Sequence, residues 1–331
     1  MLSYMKYIYE VYKERNFSKA AANLGLPQPA LSTAAKKAEK EAGVVIFDRS
    51  VSPIALTDAG RVFIETVERI LEEEHNLMGR LNDMANLDAG HLKIGGSNFF
   101  SSFILPHAIS HFSRLHPGIT IDLIEAHSAQ LNQALLSDEL DLVMDSFDFD
   151  RRHYTSYPVL TETVILAVPE SFPVNKTLSQ FQLTAEDIRQ KKHLQDVFPA
   201  VNLSLFRQEP FLLLRKGNDM GERALALCKE AGFYPKISMY LDQLMTSYHV
   251  SCMGMGIAFI TDKLIVYGYP RSEVRFYKVE SPLAKRNIVL AHKRNRYVTQ
   301  AMQAFLTFCK NNYPYRTQKI ASLDRPGEVH P

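Results

Sequence analysis

The chain has 331 residues, of which 46% are hydrophobic and 22% charged, with a formal net charge of +2. That length exceeds one ordinary domain and fits two or three, and no apolar run is long enough to cross a bilayer. Near-neutrality excludes bulk charge as an argument for nucleic-acid binding, so any DNA contact must rest on positive groups gathered locally.

The N-terminus, MLSYMKYIYEVYKERNF, lacks the basic segment, apolar stretch and small-residue cleavage site of a secretory signal. Three scattered cysteines, Cys228, Cys252 and Cys309, suit reduced thiols in a cytoplasmic protein better than a disulfide framework.

Met5, Ile8, Tyr9 and Tyr12 form one apolar stripe at helical spacing. Ser18 is the expected N-cap of a second, alanine-rich helix, which Gly25 ends. A turn at Leu26-Pro27-Gln28 leads to Pro29 in the first turn of a third helix, which runs to about Ala42 before Gly43. Val45-Ile46-Phe47 and Ile54-Ala55-Leu56 predict two short strands of a wing. Thr57 then caps a long helix from about Asp58 to Leu87. Within it Phe63, Val67, Ile70, Leu77, Leu81 and Met84 recur at spacings of three and four, with Glu74 the polar break. A heptad seam of this kind predicts pairing with a second copy of the helix. The plainer alternative is an amphipathic helix packed on its own domain. Asp88-Ala89-Gly90 has the character of a hinge.

Beyond residue 90, strands alternate with helices. Strands are expected at His91–Gly95, Ile119–Glu125, Leu140–Asp145, Val164–Pro169, Phe211–Arg215, Lys236–Tyr240, Ile257–Ile260 and Asn287–His292. Intervening helices include Leu105–Leu115, Ala129–Leu136, Gly221–Ala231 and Leu241–Met253. The alternation predicts two α/β units with mostly parallel sheets, followed by a polar, aperiodic tail.

The third helix carries the sharpest functional signal. Leu31, Ala34, Ala35 and Ala38 form its inner stripe, while Gln28, Ser32, Thr33, Lys36, Lys37 and Lys40 face the other way. Small hydroxyls and an amide can reach base edges in a major groove, and lysines neutralise phosphates. With the preceding helix and tight turn it makes a helix-turn-helix, and Arg49 and Ser50 of the wing are placed for an adjacent minor groove or phosphate. Taken alone, a lysine-bearing helix is more simply a solvated face. The order of helix, turn, helix, wing and long helix favours DNA.

The same stretch resembles the LysR-type transcriptional regulators. The resemblance lies in Phe17-Ser18-Lys19-Ala20-Ala21, Leu24, Gln28-Pro29-Ala30-Leu31-Ser32, Glu39, Gly43, Ile46-Phe47-Asp48-Arg49 and Leu56-Thr57-Asp58-Ala59-Gly60. It continues more weakly to about residue 308, through segments such as Ile104-Leu105-Pro106, His116-Pro117-Gly118-Ile119 and Gly254-Met255-Gly256-Ile257. Ala35 and Ala38 depart from it, standing where the family usually has larger aliphatics. The resemblance implies an all-α winged helix-turn-helix (residues 1–60), a dimerisation helix and hinge (61–90) and a regulatory domain (91–308), with a tail at 309–331. The regulatory domain would be α/β and like a periplasmic binding protein, with subdomain I at about 91–160 and 268–308 and subdomain II at 161–267. A small effector would lie between the subdomains, and pairing of the regulatory domains would give a homotetramer bound to an inverted-repeat DNA site. The run Thr184–Phe198 is longer than the family's usual connection.

Strand ends point to the same cleft, because helix N-termini there present unpaired N–H groups. Ser97, Asn98 and Phe99 follow the first strand, Ser128 follows the second, Asp145 and Ser146 end the third, and Arg215 ends a strand of the second unit. Such a site suits a small anion with Arg215 as counter-charge, although Asp145 calls for a ligand that also donates. For each serine alone, plain helix capping is the competing reading.

His107 and His111 have a metal-clip spacing but no third ligand, and Gly254-Met255-Gly256 precedes a strand rather than a helix. No nucleophile elbow, phosphate loop or zinc-protease pair is present, so no catalytic residue, metal or cofactor is expected. The alternative to a DNA-binding regulator is a small-molecule-binding protein or α/β enzyme with an accessory helix-turn-helix.

Overall fold

Ile8 and Val11 are fully buried on α1 (Leu2–Glu14), and they open the core of the first of two units, Met1–Ala85 and Asn86–Pro331. The computed structural model describes residues 2–85, 89–146 and 149–312. Asp88 of the expected hinge, Leu87 at the expected helix end and the tail beyond 312 lie outside the described residues.

The cap of α2 (Phe17–Asn23) is Asn16, whose side chain accepts from the Ser18 and Lys19 amides at 2.9 and 3.0 Å. Ser18 is therefore inside the first turn, not its cap: the preceding asparagine already satisfies the free N–H groups. Gly25, at φ +65°, turns the chain towards α3 (Gln28–Ala42), and Gly43, at φ +72°, ends it. Leu31, Ala35 and Ala38 of α3 are buried against α1 and α2.

The wing is shorter than expected, with β1 (Phe47–Asp48) antiparallel to β2 (Ala55–Leu56). Glu39 places it: one carboxylate oxygen accepts the Ile46 and Phe47 amides at 3.0 and 3.2 Å, and the other takes Arg49 at 2.9 Å. Thr57 caps α4 (Asp58–Ala85), since its Oγ1 accepts from the Gly60 amide at 2.9 Å. A Cβ on Gly60 would stand 2.1 Å from the Ile46 carbonyl oxygen, so only glycine allows the wing this close to the helix. The seam of α4 divides. Phe63 packs into the core and Val67 is buried, whereas Leu77, Leu81 and Met84 are exposed together with Met78.

In the second unit β3 (Gly90–Gly96) leads through a π-helical stretch, Phe100–Ile104, into α5 (Leu105–Leu115). β4 (Ile119–Glu125), α6 (Ser128–Leu136) and β5 (Leu142–Asp145) complete a first parallel βαβ set. β6 (Tyr154–Pro169) then runs for 16 residues. After α7 (Val174–Thr177), β7 (Gln182–Leu183) and α8 (Ala185–Arg189) come β8 (Pro210–Leu214), α9 (Asp219–Glu230), β9 (Lys236–Leu241) and α10 (Leu244–Cys252). β10 (Ile257–Thr261), α11 (Asp262–Tyr267), β11 (Val274–Lys278), β12 (Lys285–Lys293) and α12 (Gln300–Asn312) follow.

The strand order is β4-β3-β5-β12-β6-β10-β8-β9, with β11 against β6 and β7. Pairs β3 with β4 and β5, and β8 with β9 and β10, are parallel, while every pair made by β6, β11 or β12 is antiparallel. The sheet is thus mixed, not mostly parallel. The expected strand Val164–Pro169 is only the second half of β6; its first half pairs with β12, and together the two strands tie one lobe to the other.

Two boundaries change. β11 pairs with β6 and β7, so residues 274–278 belong with the second lobe, and the chain returns to the first after β11 rather than near Tyr267. α12 continues to Asn312 with Cys309 fully buried, so the tail begins later than 309. The long run Thr184–Phe198 is folded: Thr184 and Asp187 form a reciprocal cap on α8, and the segment delivers a buried histidine, His193.

Candidate DNA-reading face and inter-lobe site

On α3, Gln28, Thr33, Lys36 and Lys37 are exposed and Ser32 is half-buried, opposite the face that holds Leu31 and Ala35. Lys37 lies 5.3 Å from the centre of the Tyr4 ring, and its hydrogen bond to Tyr4 raises its pKa above the ordinary lysine value. Arg49 is held on the flank of this face, paired with Glu39 and lying 5.1 Å over the Phe17 ring. Ser50 donates its hydroxyl to Asp48 at 2.6 Å and its amide to the same oxygen at 2.9 Å, which holds the Asp48 carboxyl below its usual range. Wing residues are thus positioned by local partners, whereas the helix presents its polar groups outward.

In the second unit, Ser97, Asn98, Ser128 and Ser146 are all half-buried at the ends of β3, β4 and β5. Asn98 donates from its side chain to Glu125 at 2.9 Å. Phe99 points into the core, stacked on Phe103 at 5.7 Å. Ser101, which the sequence did not mark, is buried and donates to the Gly96 carbonyl at 2.9 Å. Arg215, the counter-charge expected of this site, makes a largely exposed pair with Asp242 at 3.1 Å.

The cation of the lobe junction is Arg286. It faces Glu162 across the β12–β6 ladder, bonds to it through Nε, and donates from Nη1 to Asp219 on α9 at 2.7 Å. Arg223 pairs with the same aspartate at 3.3 Å and donates to the Leu283 carbonyl at 2.7 Å. Glu162 is 0% exposed and Arg286 7%, so the pair is desolvated. Burial pushes the Glu162 carboxyl up, with Arg286 working against it. Burial also acts on Asp219, but Arg286 and Arg223 outweigh it and hold that carboxyl low.

Asp145 ends β5 beside this cluster, 4% exposed. Its Oδ1 accepts from the Ser146 amide at 2.7 Å, while Oδ2 is buried with no partner among the described residues. Burial pushes its carboxyl up, countered in part by the Ser128 hydroxyl, the Ser146 amide and Arg286. A second buried group packs against the crossing strand β6: Asp262, at the start of α11, accepts from the Thr163 amide at 2.9 Å and pairs with His193 and Lys263, each at 3.2 Å.

Sequence reasoning singled out Asp145 and the strand-end serines but not the buried Glu162, Arg286 and His193 or the half-buried Asp219. The available signal was charge at an apolar strand: Glu162 alone in VLTETVILAV, and Arg286, beside Lys285, in KRNIVLA. Among the described residues, no group of three or more His, Cys, Asp or Glu is arranged to hold a metal. His107 and His111 are both exposed on α5.

A winged helix-turn-helix joined to a mixed α/β unit of two lobes defines a one-chain transcription regulator with a separate ligand-binding domain. The profile of the bacterial regulatory helix-turn-helix proteins of the lysR family matches residues 2–61, and that of the LysR substrate binding domain matches residues 85–314. The chain belongs to the LysR family of DNA-binding transcription regulators. It is 28% identical over 313 residues, 93% of each chain, to the uncharacterized HTH-type transcriptional regulator YcgK of Bacillus subtilis (strain 168). It is 24% identical over 298 residues to the DNA-binding transcriptional dual regulator OxyR of Escherichia coli (strain K12), covering 88% of this chain and 91% of that one. Among solved structures, a full-length OxyR variant from Pseudomonas aeruginosa superposes with a TM-score of 0.63 at 22% identity over 94% of both chains. The LysR-family regulator CbnR gives 0.57 at 19% identity over 95% of this chain and 99% of that one.

Proposed function

We propose that α3 enters the major groove of double-stranded DNA, with Gln28, Ser32 and Thr33 at base edges and Lys36 and Lys37 on phosphates. The supporting observation is the division of that helix, which buries Leu31, Ala35 and Ala38 and turns short polar and cationic groups outward. Arg49 and Ser50 of the wing flank it, placed for an adjacent minor groove or phosphate, with Ser50 exchanging its bond to Asp48 for one to the DNA. The exposed run Leu77, Met78, Leu81 and Met84 pairs two copies of α4, and pairing through the regulatory domains makes a tetramer. Two reading heads per dimer select an inverted-repeat site.

A small effector binds between the lobes against Ser97, Asn98, Ser128, Asp145 and Ser146. It shifts the regulator by binding one arrangement of the lobes more tightly, and a tenfold preference supplies about 1.4 kcal/mol of coupling. The protein acts in the cytoplasm, by binding and without catalysis.

One relative is named a hydrogen peroxide-inducible genes activator. A peroxide signal is not part of this reading, because Cys228 and Cys309 are buried and burial raises all three thiols, which disfavours the reactive thiolate.

Selection of bound sites from genomic DNA, followed by gel-shift titration, tests the DNA reading. A recovered inverted repeat whose preference changes with Ser32→Ala is the expected result. Enrichment of no sequence, or an unchanged preference, refutes the assignment of α3. Peroxide should leave the affinity for that site unchanged.

A further inference from the structure

We propose that Asp145 is the recognition point for a positively charged nitrogen, so that the effector is a small amphoteric molecule of the amino-acid type. The inference rests on the inter-lobe site proposed above and names the chemistry of its ligand.

Three observations carry it. Asp145 is 4% exposed, yet its Oδ2 has no partner among the described residues, and a buried carboxylate oxygen left unpaired is costly. The surrounding cluster holds three carboxyls, Asp145, Glu162 and Asp219, against two guanidiniums, Arg223 and Arg286. Both guanidiniums are already spent: Arg286 bonds to Glu162 and Asp219, and Arg223 to Asp219 and the Leu283 carbonyl. By formal charge the cluster is therefore one positive charge short. Glu162 Oε2 is also buried without a partner among the described residues, but Arg286 bonds the other oxygen of that carboxyl, whereas Asp145, beside the strand-end serines, has only the Ser146 amide.

An ammonium group meets that need with a charge and three donors. A metal ion does not, because such a site takes at least three oxygen ligands, and no group of three metal-binding side chains stands here among the described residues. In the ligand-free protein a proton on Asp145 fills the same role, consistent with burial raising that carboxyl. The other end of the ligand follows from its neighbours. Ser128 is the first residue of α6, and the helix after β3 begins just beyond Ser97, so backbone N–H groups at both places suit a carboxylate. An ammonium on Asp145 and a carboxylate at the helix starts describe an α-amino acid or a close relative.

The test uses the full-length protein and two matched panels at millimolar concentration: the common L-amino acids and their 2-oxo acid counterparts. Thermal shift screens the panels and isothermal calorimetry measures the hits. At least one amino acid should raise the Tm while its 2-oxo acid does not. Asp145→Asn, which keeps the shape and removes the charge, should weaken that amino acid roughly tenfold to a hundredfold. The Tm of ligand-free Asp145→Asn, equal to or above wild type, shows that the loss is not misfolding.

Binding of an amino acid with equal affinity to Asp145→Asn overturns the proposal. Equal binding of the 2-oxo acid overturns it too, and if that binding is lost in Ser128→Ala the inter-lobe site stands without the ammonium. No binding from the amino-acid panel also overturns it.

Discussion

The two units use charge in opposite ways. In the helix-turn-helix unit most of the groups proposed to read DNA lie close together in sequence on the outside of one helix, where Lys36 and Lys37 are exposed. In the regulatory unit the decisive charges are buried and come from distant places: Asp145, Glu162, Asp219 and Arg286 from four different elements. An exposed lysine costs the fold almost nothing and is free to serve a partner. A desolvated arginine is useful to the fold only while its carboxylates surround it, so the same change that alters function there also threatens the lobe junction.

The comparison breaks most readily at Arg286. Arg286→Met leaves Glu162 and Asp219 buried without their cation and should cost roughly 3–5 kcal/mol in urea denaturation. A loss below about 1 kcal/mol would show that the junction is wet and the contrast false. Next comes Gly60→Ala, where the new Cβ must displace the Ile46 carbonyl. Overpacking of this kind should cost about 1–3 kcal/mol and weaken DNA binding by moving the wing, although residue 60 touches no base.

On the DNA side, Ser32→Ala should change site preference by about 1–3 kcal/mol of discrimination with little change in Tm. Lys36→Ala should weaken binding to all sequences and flatten the salt dependence by about one unit of slope. A fall in Tm without a change in affinity would place either residue in the core instead.

The smallest effect sharpens the contrast at Asp145. Its folded carboxyl is raised by burial, so the cost of burying the ionised form is fully present above the folded pKa and vanishes below the unfolded value near about 4. Asp145→Asn should therefore stabilise the protein at pH 8, and the gain should shrink on acidification to pH 4. A gain that grew on acidification would mean that the carboxyl is held low by an unseen partner. Asp219 and Asp262 run the other way: both are held low, so their contribution is present above the unfolded value and is lost as pH falls through the folded one.

Periodicity and turn chemistry made the first unit legible almost throughout. Gly25, Pro29 and Gly43 bound α3 where its stripe begins and ends, and Thr57 starts α4. What misled was cap choice at Ser18, because two nearby residues can both cap and only geometry selects Asn16. In the second unit the βαβ segments were visible, since a strand and its following helix signal themselves locally. β7 and β11 were missed, and β6 and β12 were cut short, because their polar residues break a strand pattern that makes sense only at the crossing.

The sequence by itself determined the helix-turn-helix, the outward face of α3, the apolar run of α4 and the strand ends where a ligand would sit. All of these follow from spacing within a few residues, where side-chain direction is set by the local backbone. Only the tertiary structure decided that Arg286 is buried between Glu162 and Asp219 while Arg215 pairs with Asp242 near the surface, that His193 reaches Asp262 from the long 184–198 segment, and that Asp145 is left one partner short. The junction pairings join residues from 67 to 124 positions apart, and a buried charge declares its partner only once desolvation forces one on it.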